Sequence, residues 1–331
     1  MIDRPKTVSV ILPVFNGQAF LRDAIESIRS QTFADWELII IDDQSSDGSL
    51  EICRHYEAID SRINVFTNEE NLGLARTMNR LVSLARCKYV AIQEQDDISV
   101  PHRLAREVAL LESDPGVGLV SGIAAWMNDR AEVSAYFPHL LQSGNQYPQT
   151  QREMVKYLYT DQCKVVNAAC MFRRIITAGV DRPFDDDAKM SIDWQFFLHL
   201  AHRYRIFGIR EVLVKMRRGH NHKSLTKDKE LQFKEAKRCI ETIYRRYKKD
   251  RGSPINYPLY RRAMATQNIL EGRYWRGLKG WMKLIQAISY NPCDRQAWSS
   301  WIEMSFRALT KPLGLRPFRL NRARHRVSQG A

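Results

Sequence analysis

No uninterrupted apolar stretch in the 331 residues approaches the roughly 18 needed to cross a membrane as a helix. The opening MIDRPKTVSV also lacks an apolar core of signal-peptide length. The expectation is a chain that is neither exported by that route nor integral to a bilayer. Six cysteines (Cys53, Cys87, Cys163, Cys170, Cys239, Cys293) are scattered, with no CxxC pair and no histidine at zinc-finger spacing. That argues against a disulfide or zinc framework and for reduced thiols in the cytoplasm. Helix-turn-helix and RNA-binding motifs are missing too. What is present is a 44% hydrophobic composition, enough to fill a core in one large domain with an appendage or in two domains.

The net charge of +14 is unevenly placed. Residues 1–230 hold 29 Lys and Arg against 31 Asp and Glu, a net of −2, while residues 231–331 hold 22 against 6, a net of +16. Two regions of different character share the chain.

The first region alternates strand and helix patterns. Val8–Leu12 is an apolar run that Pro13 is expected to end, as in a strand buried on both faces. Helical spacing follows at Leu21, Ala24, Ile25 and Ile28, then a strand over Glu37–Ile41 and a helix around Ser49–Ala58. A short strand Ile63–Thr67 precedes a helix on Leu74, Met78, Leu81, Val82 and Ala85, and Tyr89–Ile92 reads as a fourth strand. Ser99 and Pro101 form a cap and first-turn signal for a helix carrying Leu104, Val108 and Leu111. This alternation predicts an α/β fold with a mainly parallel sheet covered by helices on both faces. Ligands of such sheets bind beyond the carboxyl ends of the strands. Those ends carry Pro13–Asn16, Asp42 with Asp43, and Asp96 with Asp97.

Three acidic features stand out. In IIIDDQSSDGS two carboxylates leave a strand, where Asp43 can accept from a nucleobase or a ribose, whereas Ser45 and Asp47 equally suit a turn that bonds its own backbone. In EQDD, Glu94, Asp96 and Asp97 crowd together, so either a cation sits among them or they cap the next helix. In MSIDWQFFLHLAHRY, predicted to be an amphipathic helix, Asp193 is either a helix N-terminal acid or a general base.

VSVILPVFNG, QTFADWELIIIDDQSSDGS, NEENLGLARTMN, EQDD running on through SVPHRL, and SIDWQFFLHLA resemble, in order over about the first 225 residues, the motifs of family 2 glycosyltransferases, inverting enzymes of the GT-A fold. The resemblance implies that Pro13, Val14 and Asn16 surround a nucleotide and that Asp43 recognises its base, typically uracil. It implies Asp96 beside the ribose or sugar, Asp97 on a divalent metal (Mn2+ or Mg2+), and Asp193 as catalytic base. Gly73 and Arg76 fall where the family brings a loop near the nucleotide, and KMRRGHNHKSLT resembles a basic segment near the active site, with His220 or His222 in the histidine position. Ile192 stands where many members have an acid, and Glu94 where many have Asp. The implied activity moves a sugar from a nucleotide-sugar donor, with UDP as the expected nucleotide, to a saccharide or lipid-linked acceptor. Asn167, Ala168, Ala169 and Trp194 are candidates for sugar selection. The rival readings are a sugar nucleotidyltransferase, whose usual glycine-rich basic loop PVFNGQAF does not supply, and a degenerate scaffold.

Residues 1–228 are thus expected to form the catalytic domain, with a nucleotide half over about 1–115 and an acceptor half over about 116–228. Residues 229–331 form a basic, mostly helical region. There Phe233, Ala236, Ile240, Ile243 and Tyr247 repeat at helical spacing, and three further helical segments follow, broken near Pro254, at Asn291 with Pro292, and at Lys311 with Pro312. One pair resembles a tetratricopeptide repeat, and LNRARHRVSQGA reads as a loose basic tail. Trp275, Trp281, Trp298 and Trp301 interleave with Arg273, Arg276, Lys279 and Lys283. The mixture suits an anionic membrane surface, a helical bundle with a solvated basic face, or, with least support, nucleic acid.

Overall fold

The computed structural model describes residues 6–128, 130–160, 164–180, 182–218, 228–275 and 277–310, with side chains to 305. Contacts divide the chain into two compact units: one up to Glu235 together with Arg251–Pro254, the other Ala236–Asp250 and the chain from Ile255 onward.

In the first unit the elements run β1 Val8–Val14, α1 Leu21–Arg29, β2 Trp36–Asp42, α2 Ser49–Ile59, β3 Ile63–Thr67, α3 Leu74–Leu84, β4 Tyr89–Ile92, β5 Ile98–Ser99 and α4 Arg103–Ser113. They continue with β6 Val117–Met127, β7 Val133–Phe137, α5 His139–Gln142, α6 Gln151–Thr160, β8 Cys170–Arg173, α7 Ile192–Ala201 and β9 Arg205–Arg217. The nine strands form one sheet in the order β3-β2-β1-β4-β8-β6-β9-β5, with β7 beside β6. β3, β2, β1 and β4 are mutually parallel and read as near-continuous apolar runs because helices cover both their faces. The far half is mixed: β8 runs antiparallel to β4 and β6, and β9 is parallel to β6 and antiparallel to β5.

Three local expectations are corrected. Pro13 does not end β1; it pairs with Ile41 inside the strand. The carbonyls of Ile11 and Val14 bond Gln93 N–H of the β4 side and Asp43 N–H of the β2 side, respectively. Alternation therefore turns Pro13 toward β4, whose pairing with β1 stops at Ile11, so its missing N–H costs no ladder bond. Ser99 does not cap α4: it lies in β5, and its Oγ donates to Gln93 Oε1 at 2.6 Å. Finally, α7 is not amphipathic. Eight of its ten residues are buried, as in a helix that core surrounds on all sides.

The second unit holds the rest of α8 Lys229–Tyr247, then α9 Tyr257–Tyr274, α10 Gly277–Tyr290 and α11 Arg295–Thr310, with breaks close to the expected Pro254 and Asn291–Pro292. Asn256 caps α9 by accepting Leu259 N–H at 2.9 Å. The α9–α10 hairpin is so close that a Cβ on Gly280 would lie 1.9 Å from the carbonyl oxygen of Trp275. The basic tail and the Lys311–Pro312 break lie outside the described residues.

Candidate active site

The register of β1 with β2 and β4 sets Val14 beside Asp42 and Ile11 beside Ile92, so three loops leave neighbouring strand ends together. The loop after β1 is tied to both others. Asn16, at φ 50°, donates its N–H to Ser45 Oγ at 2.9 Å and accepts Ser46 N–H on Oδ1 at 2.8 Å. Gln95 grips Phe15 in both directions, Oε1 accepting its N–H at 2.9 Å and Nε2 donating to its carbonyl at 3.1 Å. Pro13 and Val14 are buried at the end of β1, while Phe15 and Asn16 are exposed. Asp47 serves the turn in part, its Oδ1 accepting Ser49 N–H while Oδ2 accepts Gln18 N–H; the Ser45 hydroxyl bonds Asn16 of the neighbouring loop instead of its own turn.

Asp43 is 4% exposed. Its Oδ1 accepts from Asn68 Nδ2 at 2.6 Å and Leu72 N–H at 2.8 Å, and its Oδ2 accepts Gly73 N–H at 2.9 Å. Three of the roughly four acceptor positions of a carboxylate are thereby used in fixing the loop before α3. Gly73 acts here as a backbone donor to Asp43, at φ 81°, a conformation that favours glycine. Arg76 lies exposed in the first turn of α3.

The acidic loop after β4 is held from beneath. Gln93, with no exposed surface, donates from Nε2 to the carbonyls of Glu94 at 3.0 Å and Asp97 at 2.7 Å, bracing both ends of the loop. Its Oε1 accepts from Ser99 Oγ and, at 3.3 Å, from Arg103 Nη1. The fully buried Arg103 also donates to Ile92 O at 2.8 Å, Cys170 O at 3.2 Å and Glu107 Oε1 at 3.1 Å. Sequence reasoning missed Gln93 and Arg103. A strong polar residue ending an apolar strand and an Arg at the start of the next helix were the available signals.

The loop therefore presents its carboxylates despite their repulsion. Asp97 is buried, with Oδ1 accepting Arg217 N–H at 3.1 Å; among the described residues its Oδ2 accepts no hydrogen bond. Burial first, then the charges of Asp96 and Glu94, push its carboxyl well above the usual range, against the opposing Arg217 N–H and Arg218 charge. Glu94 is pushed up to about 7 by burial and by Asp96, with Asp193 adding to the rise and an Asn167 bond of 2.6 Å opposing it. Asn167 Oδ1 is itself buried with no partner among the described residues. Asp193 is raised by burial, offset by Trp194 N–H and its own N–H at the start of α7. Glu94 and Asp193 are half-buried. Trp194, a candidate for sugar selection, is instead buried and donates Nε1 to Leu158 O at 2.8 Å. His220 and His222 lie outside the described residues.

Among the described residues no three His, Cys, Asp or Glu side chains form a ready metal cage. One or two hard carboxylate oxygens beside space for a diphosphate is, however, the donor set that Mg2+ or Mn2+ takes. The unpaired Oδ2 and the mutual repulsion around Asp97 suit such a cation.

Comparison with known proteins gives the class. The family model described as glycosyl transferase family 2 matches residues 9–178, more than half of the chain. The chain belongs to the family 2 glycosyltransferases. It is 44% identical over 106 residues to EpsE of Bacillus subtilis, which carries a glycosyltransferase name, covering 32% of this chain and 38% of that protein. It is 34% identical over 104 residues to WfgD of Escherichia coli, a UDP-Glc:alpha-D-GlcNAc-diphosphoundecaprenol beta-1,3-glucosyltransferase, covering 31% and 40%. The match thus spans about two fifths of these relatives. Among solved structures, S. aureus TarS (residues 1–349) in complex with UDP-GlcNAc superposes with a TM-score of 0.58 at 14% identity, covering 95% of this chain and 93% of that one. The Pyrobaculum calidifontis mannosyltransferase PcManGT, in complex with GDP-Man and Mn2+, gives 0.57 at 16% identity, covering 94% and 82%. The sheet and helices are those of the GT-A fold.

Proposed function

We propose that the chain transfers a sugar from a UDP-linked donor to a hydroxyl of a saccharide or lipid-linked saccharide, with inversion. The observation that carries this reading is the convergence of Glu94, Asp96 and Asp97 with Asp193 at the carboxyl ends of the parallel strands. The UDP-Glc and diphosphoundecaprenol chemistry named for WfgD and the UDP-GlcNAc complex of TarS support the choice of donor and acceptor class.

In this reading the nucleotide lies over Pro13, Val14 and Asn16, its base meeting the acceptor position left on Asp43, with Gly73 and Arg76 closing the other side. Asp96 faces the ribose or sugar. Asp97, with Asp96 beside it, would hold Mn2+ or Mg2+, which supplies positive charge against the leaving diphosphate. Asp193 takes the acceptor hydroxyl proton; its raised affinity for protons suits a base that must keep that proton through the transfer. The acceptor oxygen bonds to the anomeric carbon as the bond from that carbon to the diphosphate oxygen breaks. One displacement inverts the centre, so an α-linked donor gives a β-linked product. Glu94 and Asn167, bonded to each other, would meet sugar hydroxyls in this reading.

Calorimetric titration with UDP, with and without Mn2+ or Mg2+, tests the donor site in the wild type and in Asp97→Ala. Metal-dependent binding lost in the variant is expected. Absence of UDP binding under every metal condition, with GDP or dTDP bound instead, overturns the uracil assignment; absence of all three overturns the enzyme reading in favour of a scaffold.

A further inference from the structure

The second unit presents an apolar surface that its own packing leaves uncovered. On α10, Leu278, Met282 and Ile285 are 76%, 55% and 52% exposed and recur at i, i+4 and i+7, one stripe of a helix. On α11, Trp298 and Ile302 repeat at i and i+4 and are exposed as well. Trp281 and Trp301 join the two stripes. Trp281 shares its face with Leu278 and Ile285, Trp301 shares its face with Trp298, and the two indoles pack with centroids 5.7 Å apart. The result is one patch across two helices.

The four tryptophans contribute less to this outer surface than the aliphatic side chains do. The indole nitrogens of Trp275 and Trp301 are buried, Trp281 packs on Trp301, and Trp298 donates Nε1 to Pro292 O at 2.7 Å. The tryptophans mainly hold the hairpin, and aliphatic side chains supply most of what is presented.

We propose that this patch docks on the surface of an anionic bilayer. Charge selects that occupant. Residues 231–331 carry a net +16 in sequence, the exposed Lys279 follows Leu278 and the exposed Arg295 precedes Trp298 by three positions, and α10 contains no acidic residue. Two copies of so basic a region repel one another, whereas anionic headgroups attract its basic residues. Leu278, Met282 and Ile285 then enter the boundary between headgroups and acyl chains while the helices lie in its plane. Among the described residues no helix is long and apolar enough to cross the membrane, so the attachment is interfacial. The inference rests on the proposed reading of a lipid-linked acceptor, because only such an acceptor makes this location useful to the reaction.

The test is flotation of the full chain with vesicles of phosphatidylcholine alone and of phosphatidylcholine mixed with phosphatidylglycerol, beside sedimentation and UDP titration of the same preparations. The wild type is expected to float with the anionic vesicles and not with the neutral ones. The charge-neutral variant Leu278→Gln, Met282→Gln, Ile285→Gln is expected to lose roughly tenfold or more in vesicle affinity with its melting curve and UDP affinity unchanged. Ile302→Gln, on the other helix, should weaken binding in the same direction. A wild type that stays with the unfloated fraction, or a triple variant that floats equally well, overturns the proposal. So does a wild-type dimer that the triple variant converts to monomer without vesicle binding, which assigns the patch to a second copy. UDP binding reports separately on the donor site, so failure of one reading is visible apart from failure of the other.

Discussion

Gln93→Leu is the substitution that most directly tests how the acidic loop is held. Gln93 has no exposed surface and its side chain makes four hydrogen bonds, two to the carbonyls of Glu94 and Asp97 and two received from Ser99 and Arg103. Leucine fills similar space but strips Asp97 O of its 2.7 Å donor and leaves Glu94 O with only the long 3.4 Å bond from Asp97 N–H. Each buried polar group left unmade costs about 1–3 kcal/mol, so a loss of about 3 kcal/mol is expected. For a unit of this size that lowers the melting temperature by about 6–12 °C. The loop bearing Asp96 and Asp97 loosens at the same time, so UDP affinity in the presence of metal should fall about tenfold, equivalent to about 1.4 kcal/mol. Gln93→Glu separates bracing from volume. Its carboxylate can only accept when ionised, so it should be nearly as damaging at pH 8, yet milder at pH 5, where a retained proton can still be donated. Scanning calorimetry and UDP titration at the two pH values read both effects. Melting within about 1 °C of wild type for both variants, with unchanged UDP affinity, would refute the bracing argument.

Asp193→Asn should lower turnover by about 100- to 10,000-fold while UDP affinity stays within about twofold, as measured by transfer assay and calorimetry; weakened UDP binding would move Asp193 out of the role of base. The metal-free protein should lose stability as pH rises from 5 to 8. Glu94 titrates at about 7 in the fold against an ordinary 4.5, so its contribution is fully present below about 4.5 and is lost as pH rises through about 7. That contribution is at most about 3 kcal/mol, and Asp97 acts in the same direction. Urea melts across this range should flatten in Glu94→Gln, and a wild type insensitive to pH would contradict the reading. Gly280→Ala places a methyl against Trp275 O and should unfold the second unit first, seen as an early transition in the thermal melt.

The parts of the fold that were legible are those dictated by burial alone. β1, β2, β3 and β4 are apolar runs because helices cover both faces, and acids at their ends stand out against such runs. The helices α8 to α11 announced themselves by period and by Pro and Asn breaks. Pro13 misled because a residue's effect on a strand depends on which neighbour it faces, and that is set by a pairing between Ile11 and Ile92, 81 positions apart. Ser99 misled because its hydroxyl had a tertiary partner in Gln93 that outweighed a local cap. α7 misled because Gln195 and Asp193 look like a polar face, while the space around the helix is filled by the aromatic cluster of Phe172, Phe184, Phe196 and Phe197.

The same distinction separates the legible site from the illegible one. Repulsion among Glu94, Asp96 and Asp97 can be read from their adjacency, so a demand for positive charge follows from sequence. How the two guanidiniums nearest the loop's backbone are kept from meeting that demand cannot. Arg103 lies beneath this loop, yet its guanidinium is spent on the carbonyls of Ile92 and Cys170 and on Gln93, Ser99 and Glu107. It fixes the backbone instead of neutralising the carboxylates. Arg217 likewise offers Asp97 its backbone N–H while its side chain pairs with Asp23 and lies over Phe20. Either guanidinium, if free to swing into the acidic cluster, would compete there with the divalent ion proposed above. Tying both guanidiniums elsewhere holds the loop's geometry without spending their charge on its carboxylates, which is what the proposed role of this four-residue turn requires.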